Sequence, residues 1–81
     1  MYKYEQMALL IKEYLDSKGS GKHILTSLEA RKIDGMDKYA KNSCYPNVCR
    51  AMDVVAERYY KGIVLNEEKR GSCTFSYEYY L

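Results

Sequence analysis

The side chains best suited to chemistry lie between Pro46 and Lys61. At helical spacing Asn47, Arg50, Val54, Glu57, Arg58 and Lys61 share one arc, while Val48, Ala51, Met52, Val55 and Tyr59 form an apolar stripe. An apolar back holds such a helix on a core and leaves amide and guanidinium groups outward. Those groups fit the base edges of a DNA groove. Arg pairs two donors with guanine and Asn pairs bidentately with adenine, each worth roughly 1–3 kcal/mol of discrimination. Asp53 and Glu57 share the outward side and oppose phosphate.

Cys44, Cys49, Cys73 and His23 count as four metal-ligating types, but only one cysteine pair is close in sequence and no second pair accompanies it. No metal site is expected. Free, partly buried thiols are the expected state, with Cys73 facing the core beside Phe75. The alternative is a Cys44–Cys49 disulfide that pins the start of the long helix, a state found inside hyperthermophile cells. No orienting acid or oxyanion donor accompanies a Cys–His pair, so no catalytic site and no enzyme activity is expected. Gly19-Ser20-Gly21-Lys22 invites a phosphate-loop reading and fails it. The pattern needs Gly where Asp16 stands, and Ser or Thr where His23 stands. No cofactor or small-molecule ligand is expected.

These residues need elements to position them. Tyr4, Met7, Ala8, Ile11, Tyr14 and Leu15 share a face and predict a helix over 4–18, with Leu9 off that face and exposed. A short strand follows at 23–25. Thr26-Ser27-Leu28-Glu29 is a capping box that opens a helix over 27–34, burying Leu28 and Ile33 and ending at Asp34-Gly35. Met36 and Tyr39 seat a further turn. Pro46 suits the first turn of a helix over 46–61, and Gly62 the left-handed position that ends it. After Gly62 the period becomes 2. Ile63–Leu65 reads as a strand, 66–72 as a polar turn, and Cys73 to Leu81 as an alternating strand, together a hairpin over 63–81. The second strand outruns the first, so its surplus backbone groups require His23–Leu25 as a third strand.

The whole is one domain, residues 1–81, of the α+β class: three helices with a small antiparallel sheet, in the order helix, strand, helix, helix, strand, strand. Eighty-one residues with formal net charge +2 bound the class further. The positive excess sits in the middle of the chain, a mild basic patch that suits modest phosphate affinity. No apolar run reaches the length of a membrane span and no leader precedes the first helix, so a cytoplasmic, non-membrane protein is expected. Ten tyrosines, abundant Lys and Glu and a single Gln point to a thermophilic source, archaeal or viral.

This element order resembles the winged helix-turn-helix family over nearly the whole chain. The resemblance implies a double-stranded DNA-binding protein, a small transcriptional regulator. Its third helix would place Asn47, Arg50, Val54 and Arg58 in the major groove, and Lys69 and Arg70 at the hairpin tip (the wing) on backbone or minor groove. Lys41 and Ser43, just before the long helix, would join Arg31, Lys32 and Lys38 in positioning the domain on phosphates. A homodimer is expected through helix 4–18, with Leu9, Leu10 and Tyr2, and through the Tyr-rich C-terminal strand. The rival reading is a winged-helix protein–protein adaptor or assembly subunit that binds no nucleic acid. Its support is the carboxylates of Asp53, Glu57, Glu67 and Glu68.

Overall fold

The computed structural model describes residues 3–40 and 45–81. Three helices, α1 (Lys3–Asp16), α2 (Ser27–Arg31) and α3 (Tyr45–Arg58), combine with three strands, β1 (Lys22–Thr26), β2 (Gly62–Val64) and β3 (Ser76–Tyr80). The element order is that of a winged-helix-like α+β fold. The sheet is antiparallel in the order β1-β3-β2. β3 is therefore central, and the extra pairing that its length required is supplied by β1, with His23 opposite Tyr79 and Leu25 opposite Tyr77.

One core joins the layers. Met7, Ala8, Ile11 and Leu15 of α1 meet Val48, Ala51, Met52 and Val55 of α3, above Leu25, Phe75, Tyr77 and Tyr79. Tyr77 and Tyr79, two apart on β3, point the same way and stack at 5.0 Å between centroids. The Tyr79 hydroxyl donates to the Met52 carbonyl at 2.7 Å and so ties β3 to the middle of α3.

The ends of the elements differ from the periodicity in instructive ways. α1 stops at Asp16, because Ser17 and Lys18 tighten into i→i+3 turns before the left-handed Gly19. The Thr26 capping box forms in full, with Glu29 N–H donating to Thr26 Oγ1 at 3.1 Å and Thr26 N–H to Glu29 Oε1 at 3.2 Å. α2 nonetheless ends at Arg31. Lys32 and Ile33 continue as i→i+3 turns, and a single 3-10 turn follows at Met36–Lys38. This short helix buries Ser27 and Ala30, while Leu28 is exposed and Ile33 half-buried, contrary to expectation. Leu9 is half-buried rather than exposed.

α3 ends at Arg58, not at Lys61, because the Lys61 carbonyl accepts the Tyr80 N–H at 2.8 Å and draws the chain into the sheet. Tyr59, beyond the helix end, is exposed and leaves the apolar stripe. Gly62 is no helix stop. It opens β2 without a left-handed φ, and an added Cβ would lie 2.7 Å from Tyr79 Cδ1. Close packing, not conformation, explains that glycine. The hairpin is also shorter than expected. Asn66 closes its connection, donating to the Thr74 carbonyl at 2.9 Å and accepting from Ser76 N–H at 2.8 Å. Residues 73–75 pair instead with the start of α2, where Ser27 and Leu28 N–H donate to the Phe75 and Cys73 carbonyls. Cys73 is half-buried.

Candidate functional site

α3 presents two neighbouring grooves. Pro46, Arg50, Asp53, Arg70 and Gly71 line the first, of about 370 Å³, between the helix and the loop joining β2 to β3. Tyr4, Glu5, Arg50, Val54 and Arg58 line the second, of about 310 Å³, between α3 and the start of α1. Arg50 is exposed and lines both, so it stands on the ridge between them.

The four residues expected to face a DNA groove do share one side of α3, but the start of α1 stands beside them. The Tyr4 hydroxyl donates to Asn47 Oδ1 at 3.3 Å, a long and weak bond. The Arg50 guanidinium lies 5.0 Å from the Tyr4 ring centroid, at cation–π distance. Arg58 Nη1 meets Glu5 Oε1 at 3.0 Å, and Val54 is half-buried. Arg50 alone of the three polar groups has no hydrogen-bonded or ionic partner among the described residues. None of its five donors is taken by a described residue.

The wing loop does not project. It folds against α3 through Arg70, whose Nη1 and Nη2 meet Asp53 at 2.6 and 3.3 Å and whose Nε and Nη2 meet the Glu67 carboxylate. The same guanidinium lies 4.7 Å above the Phe75 ring. Asp53 also accepts the Tyr77 hydroxyl at 2.5 Å. Glu67 first, then Asp53, hold the Arg70 proton more tightly than usual, while Arg70 lowers the Glu67 pKa. Burial first, then Asp53, push the Tyr77 phenol upward. Arg70 is thus engaged on the protein, and Lys69 beside it is exposed with no ion pair among the described residues. Lys41, Ser43 and Cys44 lie outside the described residues, as does Tyr2, and so does any Cys44–Cys49 bond. Cys49 is a buried thiol that accepts the Gly71 N–H at 3.4 Å, and burial raises its pKa.

Sequence reasoning missed the two α1 residues at the site. Tyr4 was legible only as a core-facing aromatic, and Glu5 carried no signal. It read Asp53 as a repulsive surface charge, whereas Asp53 is the hub that fastens the wing. The tyrosines expected at a dimer interface divide: Tyr77 and Tyr79 are core, and Tyr80 faces out beside Glu78, to which its hydroxyl donates at 3.0 Å. Among the described residues no three His, Cys, Asp or Glu side chains group closely enough to hold a metal ion, and no helix is long and apolar enough to cross a membrane. Compared with known proteins, the chain matches no family model, no curated protein and no solved structure.

Proposed function

We propose that this chain is a non-enzymatic double-stranded DNA-binding protein, a small cytoplasmic transcriptional regulator that uses no cofactor. The observation that carries this reading is the placement of Arg50. It stands exposed on the ridge of α3, with no hydrogen-bonded or ionic partner among the described residues, the Arg70 guanidinium across the adjoining groove and Lys69 on the same loop as Arg70. In this reading Arg50 enters the major groove and pairs with guanine O6 and N7. Asn47 exchanges its weak Tyr4 bond for an adenine edge, and Val54 offers an apolar contact to a thymine methyl. Lys69 meets a phosphate and fixes the register without reading sequence, while Arg70, held by Asp53 and Glu67, lines the groove beside it. Arg58, already paired with Glu5, contributes less.

A second reading, a protein–protein adaptor, is favoured by the exposed Glu57, Glu67 and Glu68 around the same face. Mobility of labelled duplex at several salt concentrations separates the two. DNA binding through phosphates weakens steeply as salt rises, whereas an adaptor shows a flat or absent response. Arg50→Ala is expected to weaken binding to a selected site by about tenfold or more and to relax sequence preference. Equal losses on selected and random duplex would remove Arg50 from base reading.

A further inference from the structure

The face of the sheet turned away from the core carries an ordered set of side chains. Register places Ile24, Glu78 and Ile63 in one row across the three strands, because Ile24 and Ile63 both lie opposite Glu78. Lys22 lies opposite Tyr80 on one side, and the Lys61 carbonyl bonds Tyr80 on the other, so these two lysines flank the next row. Leu65, bonded to Ser76, ends the third row. Ile24, Ile63 and Leu65 are 52, 47 and 46% exposed, three of the five large apolar side chains left in solvent among the described residues. Single exposed isoleucines are ordinary, but three on one small face with a fixed charge pattern are not.

We infer that this face binds a second copy of the same chain. The charges select that occupant. Two lysines occupy one row and a single glutamate the centre of the next, so the pattern is complementary to itself under one two-fold arrangement. With the axis lying across the strands, between the two rows, Lys22 and Lys61 of one copy flank the second copy's Glu78. Ile24 and Ile63 then lie under the lysine stems, which pack well on apolar surface. An axis through the glutamate row opposes Glu78 to itself, and an axis along the strands opposes Lys22 to Lys61; both are repulsive. Of these three axes only the first sets opposite charges together, which makes the face self-complementary as an isologous contact requires.

Size sets the strength. Three strands about 4.8 Å apart and five residues of about 3.4 Å each span roughly 14 by 17 Å. That is well below the ~800 Å² per partner of a standard stable interface, so the pair is weak and concentration-dependent. The association stands independently of the DNA-binding reading and requires no nucleic acid.

Methyl NMR of the full chain, from tens of micromolar to millimolar, tests it together with sedimentation velocity. The Ile24 and Ile63 methyls, in the paired rows, are expected to shift with concentration more than Leu65, while core methyls stay fixed. Glu78→Lys alone, or Lys22→Glu with Lys61→Glu, should each weaken self-association more than about tenfold, since like charges then face each other. Mixing the two variants in equal amounts should restore a heterodimer with the same methyl shifts. All three changes lie on the outer face of the sheet, Glu78 half-buried beside Tyr80, and unchanged circular dichroism confirms that each variant is folded. Methyls that do not move with concentration, movement confined to other surfaces, or a mixture that fails to recover association would each overturn the inference. So would a chain monomeric on its own that uses this face for an unrelated protein.

Discussion

Asp53→Asn is expected to lower the stability of the fold and raise its affinity for DNA. The carboxylate accepts Arg70 at 2.6 and 3.3 Å and the Tyr77 hydroxyl at 2.5 Å. Asparagine keeps the shape and one acceptor oxygen, so the Tyr77 bond survives in a weaker, neutral form. The ion pair is lost. The Asp53 and Arg70 side chains are 30 and 37% exposed, so solvent screening holds the pair to about 1 kcal/mol or less. Weakening the Tyr77 bond adds about another 0.5–1 kcal/mol. A total near 1–2 kcal/mol lowers the Tm by about 5–10 °C in a domain of this size. Binding moves the other way. With the Asp53 restraint gone and only Glu67 holding it, Arg70 can swing to a phosphate, which adds about 0.9 to the slope of log affinity against log salt. Between 1 M and 0.1 M salt that slope amounts to roughly an eightfold gain over wild type. Thermal denaturation and fluorescence anisotropy across a salt series read both effects on one preparation. A variant of lower Tm whose affinity and salt slope match wild type would show instead that freeing Arg70 brings nothing to the DNA.

Gly62→Ala is expected to cost about 1–3 kcal/mol in urea denaturation, because the new methyl would sit 2.7 Å from Tyr79 Cδ1 and 3.1 Å from Tyr77 Cδ1, in a fully buried stack; an unchanged midpoint would show that the stack yields freely. The acid limb of stability is set in part by Glu67 and Asp16. Hydrogen bonds from Arg70 and from Tyr60, respectively, hold their folded-state values below the ordinary 4.5 and 3.8, so their stabilisation is complete above about pH 4.5 and is lost as pH falls through the lowered values. Glu67→Gln should therefore flatten the acid limb. The alkaline limb has the opposite sign. Burial raises Tyr77 and Tyr79 above 10.0, so their stabilisation is complete below pH 10 and disappears as pH rises through the raised values. Tyrosinate absorbance from these two residues should appear together with loss of far-ultraviolet dichroism, not before it.

Much of the architecture was legible because its signals are local. The Thr26–Glu29 capping box, Pro46 in the first turn of a helix and the alternation through Phe75, Tyr77 and Tyr79 each depend on a few neighbouring residues. The third strand followed from backbone accounting alone. What failed depended on tertiary contact. Gly62 looks like a helix stop from its neighbours, but it is dictated by Tyr79, seventeen residues on in the facing strand. The end of α3 was misplaced because Lys61 bonds Tyr80 in preference to continuing the helix. Arg70 was expected on DNA backbone or minor groove at the wing tip, since no local pattern announces that Asp53, seventeen positions earlier, will hold it on the protein. The arc containing Asn47, Arg50, Val54 and Arg58 was readable, but the presence of Tyr4 and Glu5 against it was not.

Backbone amide NMR during titration with a selected duplex shows most directly whether α3 meets DNA. The largest shifts are expected on α3 from Asn47 to Val54 and on the loop around Lys69 and Arg70, and Arg50→Ala is expected to suppress the α3 shifts more than the loop shifts. Amides that shift only on the outer sheet face, or that do not shift at all at low salt, would contradict that contact.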